Sequence, residues 1–282
     1  MNTSQKIALA KYAYRVVKAI RLAVGKSTNL QVTRGGLRWQ LCLDEGIDFS
    51  IYALGGFELA TLRLYRHLIR PGDVVLDIGA NVGSHTLPLA ARVGPSGRVV
   101  AFEPTAFAVA KLRANMALNP DLARRITVVQ AMLVATKGQE PAPTIFSSWP
   151  LEDAPDLHEQ HKGRLMATSG AVAMPLDVWA ERERPARLDF VKIDVDGHEP
   201  AVLEGARQTL ARFQPTILLE MAPYLFADRP TEFEGMLCML RDGGYQMTDV
   251  GSGRFLPLAA MALSETIPAG GSRNVLLRPT AT

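Results

Sequence analysis

A chain of 282 residues, 48% hydrophobic and 21% charged, can bury a sizeable core and is too apolar to be disordered or fibrous. Its net charge of +3 is too small to build a nucleic-acid footprint on a chain this long, so no nucleic-acid partner is expected. Cys42 and Cys238 lack a Cys-x-x-Cys partner, which excludes a disulfide framework or thiolate zinc site and points to a reducing, cytoplasmic setting.

The first predicted element is a helix, "KIALAKYAYRVVKAIRLAVGK", with Ile7, Ala10, Tyr14, Val17 and Val24 near one face. Lys11, Arg15, Lys18 and Arg21 interrupt its apolar residues, so it reads neither as a secretory signal nor as a membrane span. Packing against its own domain is the first expectation, and peripheral contact with a membrane surface the second. Two short runs around Gly35-Gly36 then predict a hairpin, in which Leu37, Trp39, Leu41 and Leu43 alternate with polar neighbours. Residues 1–56 are thus read as an N-terminal extension, and residues 57–282 as the main domain.

A helix from about Phe57 to Ile69 is stopped by Pro71-Gly72. From there, β-branched runs alternate with helical stretches: strands 74–78, 98–102, 126–131, 190–193, 216–220, 245–250 and 274–277, and helices 84–93, 106–118, 201–213 and 231–242. This alternation predicts right-handed crossovers and an α/β, doubly wound, mainly parallel sheet. Residues 136–187 break the rhythm. That excursion carries "SSWP", with Trp149, and "LHEQHKGR", with His158 and His161, and is expected to help form an acceptor pocket at the carboxyl edge of the sheet.

The first strand ends at Asp77 and turns through Gly79 and Gly83 into a helix from about Ser84. Such a turn lets the backbone approach a ligand and aims free N–H groups at it. The dinucleotide fingerprint needs a second Gly where this chain has Asn81, an awkward neighbour for a pyrophosphate. Glu103, ending the next strand, can accept two hydrogen bonds from a ribose diol.

"DIGANVGSHT" and "AFEP" resemble the first two motifs of class I S-adenosylmethionine methyltransferases. Together with "LDFVKIDVDGHEPAVLEGARQTL" and "PTILLEM" they resemble, more narrowly, the FkbM family of O-methyltransferases, over roughly residues 55–245. The resemblance implies a Rossmann-like sheet of seven strands, the last antiparallel, with S-adenosyl-L-methionine across the carboxyl ends of the first strands. It implies that Asp77, Gly79, Asn81 and Gly83 line the methionine part, that Glu58 reaches the methionine amine, that Glu103 holds the ribose, and that adenine lies near Ala131–Leu133, beside Met132.

The fourth strand ends in "VKIDVDGHEP", where base-nitrogen methylases carry an [Asp/Asn]-Pro-Pro-aromatic turn. Carboxylates and an imidazole suit a hydroxyl acceptor instead. Asp194 is expected nearest the sulfonium. His198 is a candidate general base, because an imidazole can accept a proton near neutral pH, with Asp194 or Asp196 orienting it. Lys192 is expected to pair with Glu220. His85, Trp149 and Glu220 are candidate substrate contacts. Metal-dependent O-methyltransferases use an acidic pair after the fifth strand; only Glu220 stands here, so no metal is expected. The expected activity is O-methylation of a sugar hydroxyl in a glycan or polysaccharide. A polyketide-like acceptor, an NAD(P)-linked oxidoreductase and a non-catalytic binding protein are the alternatives.

Overall fold

In the computed structural model, which describes residues 3–152, 157 and 163–280, the β-branched runs become a sheet and the intervening stretches pack on its two faces. In chain order the elements are α1 (Thr3–Ala23), β1 (Asn29–Arg34), β2 (Leu37–Cys42), α2 (Gly46–Leu54), α3 (Leu59–Leu68), β3 (Val74–Ile78), α4 (Thr86–Val93) and β4 (Arg98–Phe102). Next come α5 (Ala106–Leu118), α6 (Pro120–Ala123), β5 (Ile126–Val129), β6 (Ala131–Leu133), β7 (Thr144–Ser147), β8 (Arg164–Ala167), β9 (Val172–Met174), α7 (Leu176–Glu183) and β10 (Phe190–Ile193). The chain continues through α8 (Glu199–Glu204), α9 (Arg207–Phe213), β11 (Thr216–Met221), a 3-10 turn (Pro223–Phe226), α10 (Pro230–Asp242), β12 (Tyr245–Asp249), β13 (Phe255–Leu256), α11 (Ala260–Thr266) and β14 (Arg273–Pro279).

The main sheet runs β13-β12-β14-β11-β10-β3-β4-β5. Neighbours from β5 to β11 pair in parallel, while β14 inserts antiparallel between β11 and β12. Seven strands therefore take the expected arrangement, and the two-residue β13 adds an eighth at the edge. The inner strands are mainly apolar because both faces are covered, with Asp77 and Lys192 near the carboxyl ends of β3 and β10 as exceptions. Along β3, Leu76 and Ile78 join a cluster with Phe102, Trp179, Leu203 and Leu237 on one face. Val75 points the other way, into a cluster with Tyr65, Leu87, Leu112 and Phe190.

The N-terminal extension belongs to that second cluster: Tyr14, Trp39, Leu41 and Leu43 are fully buried in it. The outer edge of β2 is capped by α5, where Asn115 Oδ1 accepts from the Gln40 N–H at 2.8 Å and Asn119 Oδ1 from the Arg38 N–H at 3.1 Å. Val24, placed on the packed face of α1 by sequence, is 62% exposed instead. Other departures have local causes. Helix α2 was not anticipated, and α4 begins at Thr86 rather than Ser84. The predicted helix 201–213 breaks at Gly205, where a Cβ would come 2.1 Å from the Val134 carbonyl oxygen. The strand predicted over 126–131 divides, because β6 leaves the main sheet to pair in parallel with β9. Within the excursion, β7 and β8 pair antiparallel. His158 and His161 lie outside the described residues.

Candidate active site

Strands β3 and β10 end side by side, and the chain is tightest there. Gly79 has φ +82°, and a Cβ on it would sit 1.9 Å from the Asp194 carbonyl oxygen, so this turn needs glycine for both conformation and space. Asn81 also has positive φ, 46°, a region Asn tolerates better than most residues. Its Oδ1 accepts from the Val82 N–H at 2.8 Å, and its Nδ2 lies 3.4 Å from the hydroxyls of Ser147 and Ser148 in the excursion. The Asn81 N–H donates to Glu103 Oε2 at 2.9 Å. Glu103 Oε1 accepts from the Thr105 N–H at 2.9 Å and its hydroxyl at 2.6 Å. Burial still pushes the Glu103 carboxyl above its usual range, against those hydrogen bonds.

A cavity of about 700 Å³ opens across the carboxyl ends of these strands, within the range of small-molecule sites. Gly79, Asn81, Glu103 and Met132 line it, as do Glu58, His85, Trp149, Asp194, Asp196, His198 and Glu220. Asp77 and Gly83 stand behind the wall instead. Asp77 is fully buried, and its Oδ2 accepts from the Thr86 hydroxyl at 2.6 Å, tying β3 to α4. Gly83 makes room for Leu112, which a Cβ would meet at 2.6 Å.

The end of β10 is a charged cluster. Lys192 is 3% exposed, and its Nζ donates to Asp194 Oδ2 at 2.8 Å, not to Glu220. Burial alone would lower its pKa, but Asp194, Asp77 and Glu58 together raise it above the usual lysine range. Glu220 takes the Ser272 hydroxyl at 2.6 Å. Burial, then Asp194 and Asp196, push it well above the usual carboxylate range. Asp196, with φ 49°, is pushed up to about 8, first by the protein around it and then by Asp194 and Glu199. Solvent reaching it through the cavity screens part of that push. Asp194, Asp196 and Glu220 each offer a carboxylate oxygen within 4.8 Å of the others, so Glu220 does not stand alone as the sequence implied.

Beneath this cluster Glu199 accepts the backbone N–H groups of Val195 and Gly197 and shapes the loop. His198 is exposed, and its Nδ1 lies 3.1 Å from the Val195 carbonyl oxygen. A carbonyl can only accept, so this contact puts the ring proton on Nδ1 and leaves the lone pair on Nε2. The orienting group is thus the backbone of Val195, not a carboxylate.

On the opposite wall His85 is 3% exposed, with Nδ1 2.9 Å from the Tyr65 hydroxyl and Nε2 3.4 Å from Glu58 Oε2. Glu58 is pushed up by burial but held below its usual range by His85. Its Oε2 also accepts from Asn274 Nδ2 at 2.7 Å. Trp149 lies against Gly46, where a Cβ would come 2.3 Å from its ring, so it both packs on α2 and faces the cavity. Sequence reasoning missed Ala10, Ala13, Ile47 and Ala53 on the cavity lining, and Tyr224 beside Glu220 and Asp196. The i, i+3, i+4 apolar spacing of "GIDFSIYAL" was the available signal for α2.

S-adenosylmethionine fits this wall. The glycine turn at Gly79 brings backbone close to a ligand, Glu103 stands at the end of β4, and Ala131–Leu133 continue the same surface. Residues 77–247 match the model of the methyltransferase FkbM domain. No curated protein matches the sequence. Among solved structures, methyltransferase FkbM from Methylobacillus flagellatus is 18% identical, with a TM-score of 0.44, over 77% of this chain and 50% of that one. An O-methyltransferase from Bacillus cereus, solved with SAH, is 17% identical, with a TM-score of 0.45, over 78% and 77%. Fibrillarin from Aeropyrum pernix, with S-adenosyl-L-methionine bound, is 12% identical, with a TM-score of 0.45, over 92% and 86%. The domain match covers more than half of the chain, which therefore belongs to the FkbM methyltransferase family and uses S-adenosyl-L-methionine as methyl donor.

Proposed function

We propose that the protein methylates a hydroxyl, and that the acceptor is a sugar in a glycan or polysaccharide. The observation that carries the reading is the His198 tether, which occupies Nδ1 and leaves Nε2 as the proton-accepting atom of a ring that lines the cavity with Asp194 and Asp196. The bound donor supplies an already activated methyl group. What remains for the protein is to align the acceptor oxygen and take its proton. Asp194, held by Lys192, orients the acceptor, and His198 receives the proton. Trp149 and Tyr224 offer ring faces to a sugar, while Asp196 and Glu220 can accept from its other hydroxyls when ionised.

The apolar side of the cavity, with Ile47, Ala53, Leu54 and Phe57, favours a second acceptor class, a polyketide-like natural product. One experiment separates the two: incubation of free sugars, nucleotide sugars and polyketide alcohols with donor carrying a 13C-labelled methyl. A methoxy carbon on a sugar supports the reading, and an N-methyl or C-methyl product overturns it. His198→Ala is expected to lower turnover by about a hundredfold or more while leaving donor affinity unchanged.

The acidic trio does not by itself require a metal. Lys192 already compensates Asp194, and burial together with the neighbouring acids raises the Asp196 and Glu220 carboxyls, which favours their neutral forms. Turnover is expected to survive exhaustive chelation; loss restored by magnesium would make the trio a metal site.

A further inference from the structure

Helix α1 is packed on one face and apolar on another that stays exposed among the described residues. Tyr14 is 2% exposed and Ala10, Ala13 and Val17 pack beside it. Leu9, Tyr12, Val16 and Ile20, at i, i+3, i+7 and i+11, form an outward stripe whose members range from 44% (Val16) to 68% (Tyr12) exposed. At about 100° per residue, Ala19 and Ala23 fall on the same arc and Lys11 and Arg15 lie to one side of it. An aligned stripe of this kind, unlike scattered single apolar residues, marks an interaction surface.

Charge identifies the partner. The first 43 residues contain eight Lys or Arg and no Asp or Glu, whereas the rest of the chain carries 23 basic and 28 acidic residues. A basic belt beside an apolar arc matches an anionic lipid surface, where side chains of the arc enter the acyl boundary and the cations meet the headgroups. No described helix is long and apolar enough to cross a membrane, so the contact is peripheral. We propose that α1 docks the enzyme on the surface of an anionic bilayer. Leu9 belongs to both the stripe and the cavity wall, so docking brings the apolar side of the cavity to the lipid. This inference does not depend on which acceptor is methylated.

The test is co-sedimentation of the full chain with phosphatidylcholine vesicles, with and without phosphatidylglycerol. Binding is expected to be at least about tenfold stronger on the anionic vesicles and to weaken as salt rises. Val16→Glu/Ile20→Glu, two outward positions away from the cavity, is expected to reduce it at least about tenfold, with melting temperature and donor affinity by calorimetry unchanged. Failure to bind anionic vesicles, equal binding to both compositions, or full binding by the double variant would each overturn the proposal. So would a wild-type dimer in ultracentrifugation that the double variant dissociates without any vesicle binding, which would make the stripe an interface between copies.

Discussion

At the scale of single residues, Glu199 shows how the site trades stability for shape. It is 3% exposed, it holds the loop of Val195 and Gly197, and burial raises its pKa from 4.5 to about 7. The native state therefore grips this proton more tightly than the unfolded chain. The stability it confers is complete below the usual carboxylate pKa and is lost as pH rises through about 7. At about 1.36 kcal/mol per pKa unit, the loss amounts to at most about 3 kcal/mol. Glu199→Gln keeps an oxygen to accept the two N–H groups and does not titrate. Urea unfolding at about pH 5 and about pH 8 should show the wild type losing stability across that interval and the variant a flatter profile. Parallel profiles would remove Glu199 as the cause. The carboxylates and the imidazole of this segment could be read from their place just after a strand. The partner of Lys192 could not, because Asp194 just past its own strand and Glu220 on the next were both within reach. His198 is oriented by a backbone carbonyl, a group every residue carries and no sequence motif marks.

Strands and turns set the positions of these groups, and the contact between the β3 turn and the end of β10 is the most demanding of them. The Gly79 N–H donates to the Phe102 carbonyl at 3.0 Å, the Asp194 N–H to the Ile78 carbonyl at 3.1 Å, and no Cβ fits between Gly79 and Asp194. Gly79→Ala must either push β10 away or abandon its φ of +82°. A non-glycine residue in that region costs about 1–3 kcal/mol before the steric clash is added. The expected result is a loss of at least about 2 kcal/mol in stability together with weakened donor binding, measured by thermal unfolding and calorimetry. A variant that binds donor normally would show that the turn tolerates a displaced strand. The mainly parallel, doubly wound character of the sheet was legible because parallel strands covered on both faces are apolar runs with helical stretches between them. The break at Gly205 and the departure of β6 were not, since each is set by a segment far away in sequence: the Val134 carbonyl in one case and β9 in the other.

Across the whole molecule, the N-terminal extension and the excursion meet at Tyr14 and close one side of the cavity together. The Tyr14 hydroxyl lies between Asp44 Oδ1 and Glu152 Oε1, and Lys18 Nζ donates to it at 3.0 Å. A single phenolic proton can serve only one of the two carboxylates, and Lys18 also pairs with Glu152. Burial and the two acids raise the Tyr14 pKa, so the group remains a donor over the working pH range. Asp44 retains the Thr28 hydroxyl at 2.9 Å when Tyr14 is lost, so Tyr14→Phe leaves it hydrogen-bonded. The cost should be about 1.5–3 kcal/mol, the net worth of a hydrogen bond to a charged group. That cost should appear at α1 and α2, which line the cavity, and not at the β3 turn, which faces the donor in the proposed reading. Hydrogen exchange should accelerate in Thr3–Ala23 and Gly46–Leu54, while donor affinity stays within about twofold of wild type. Faster exchange spread evenly over the sheet, or an equal loss of donor affinity, would show that the extension and the β3 turn unfold as one unit.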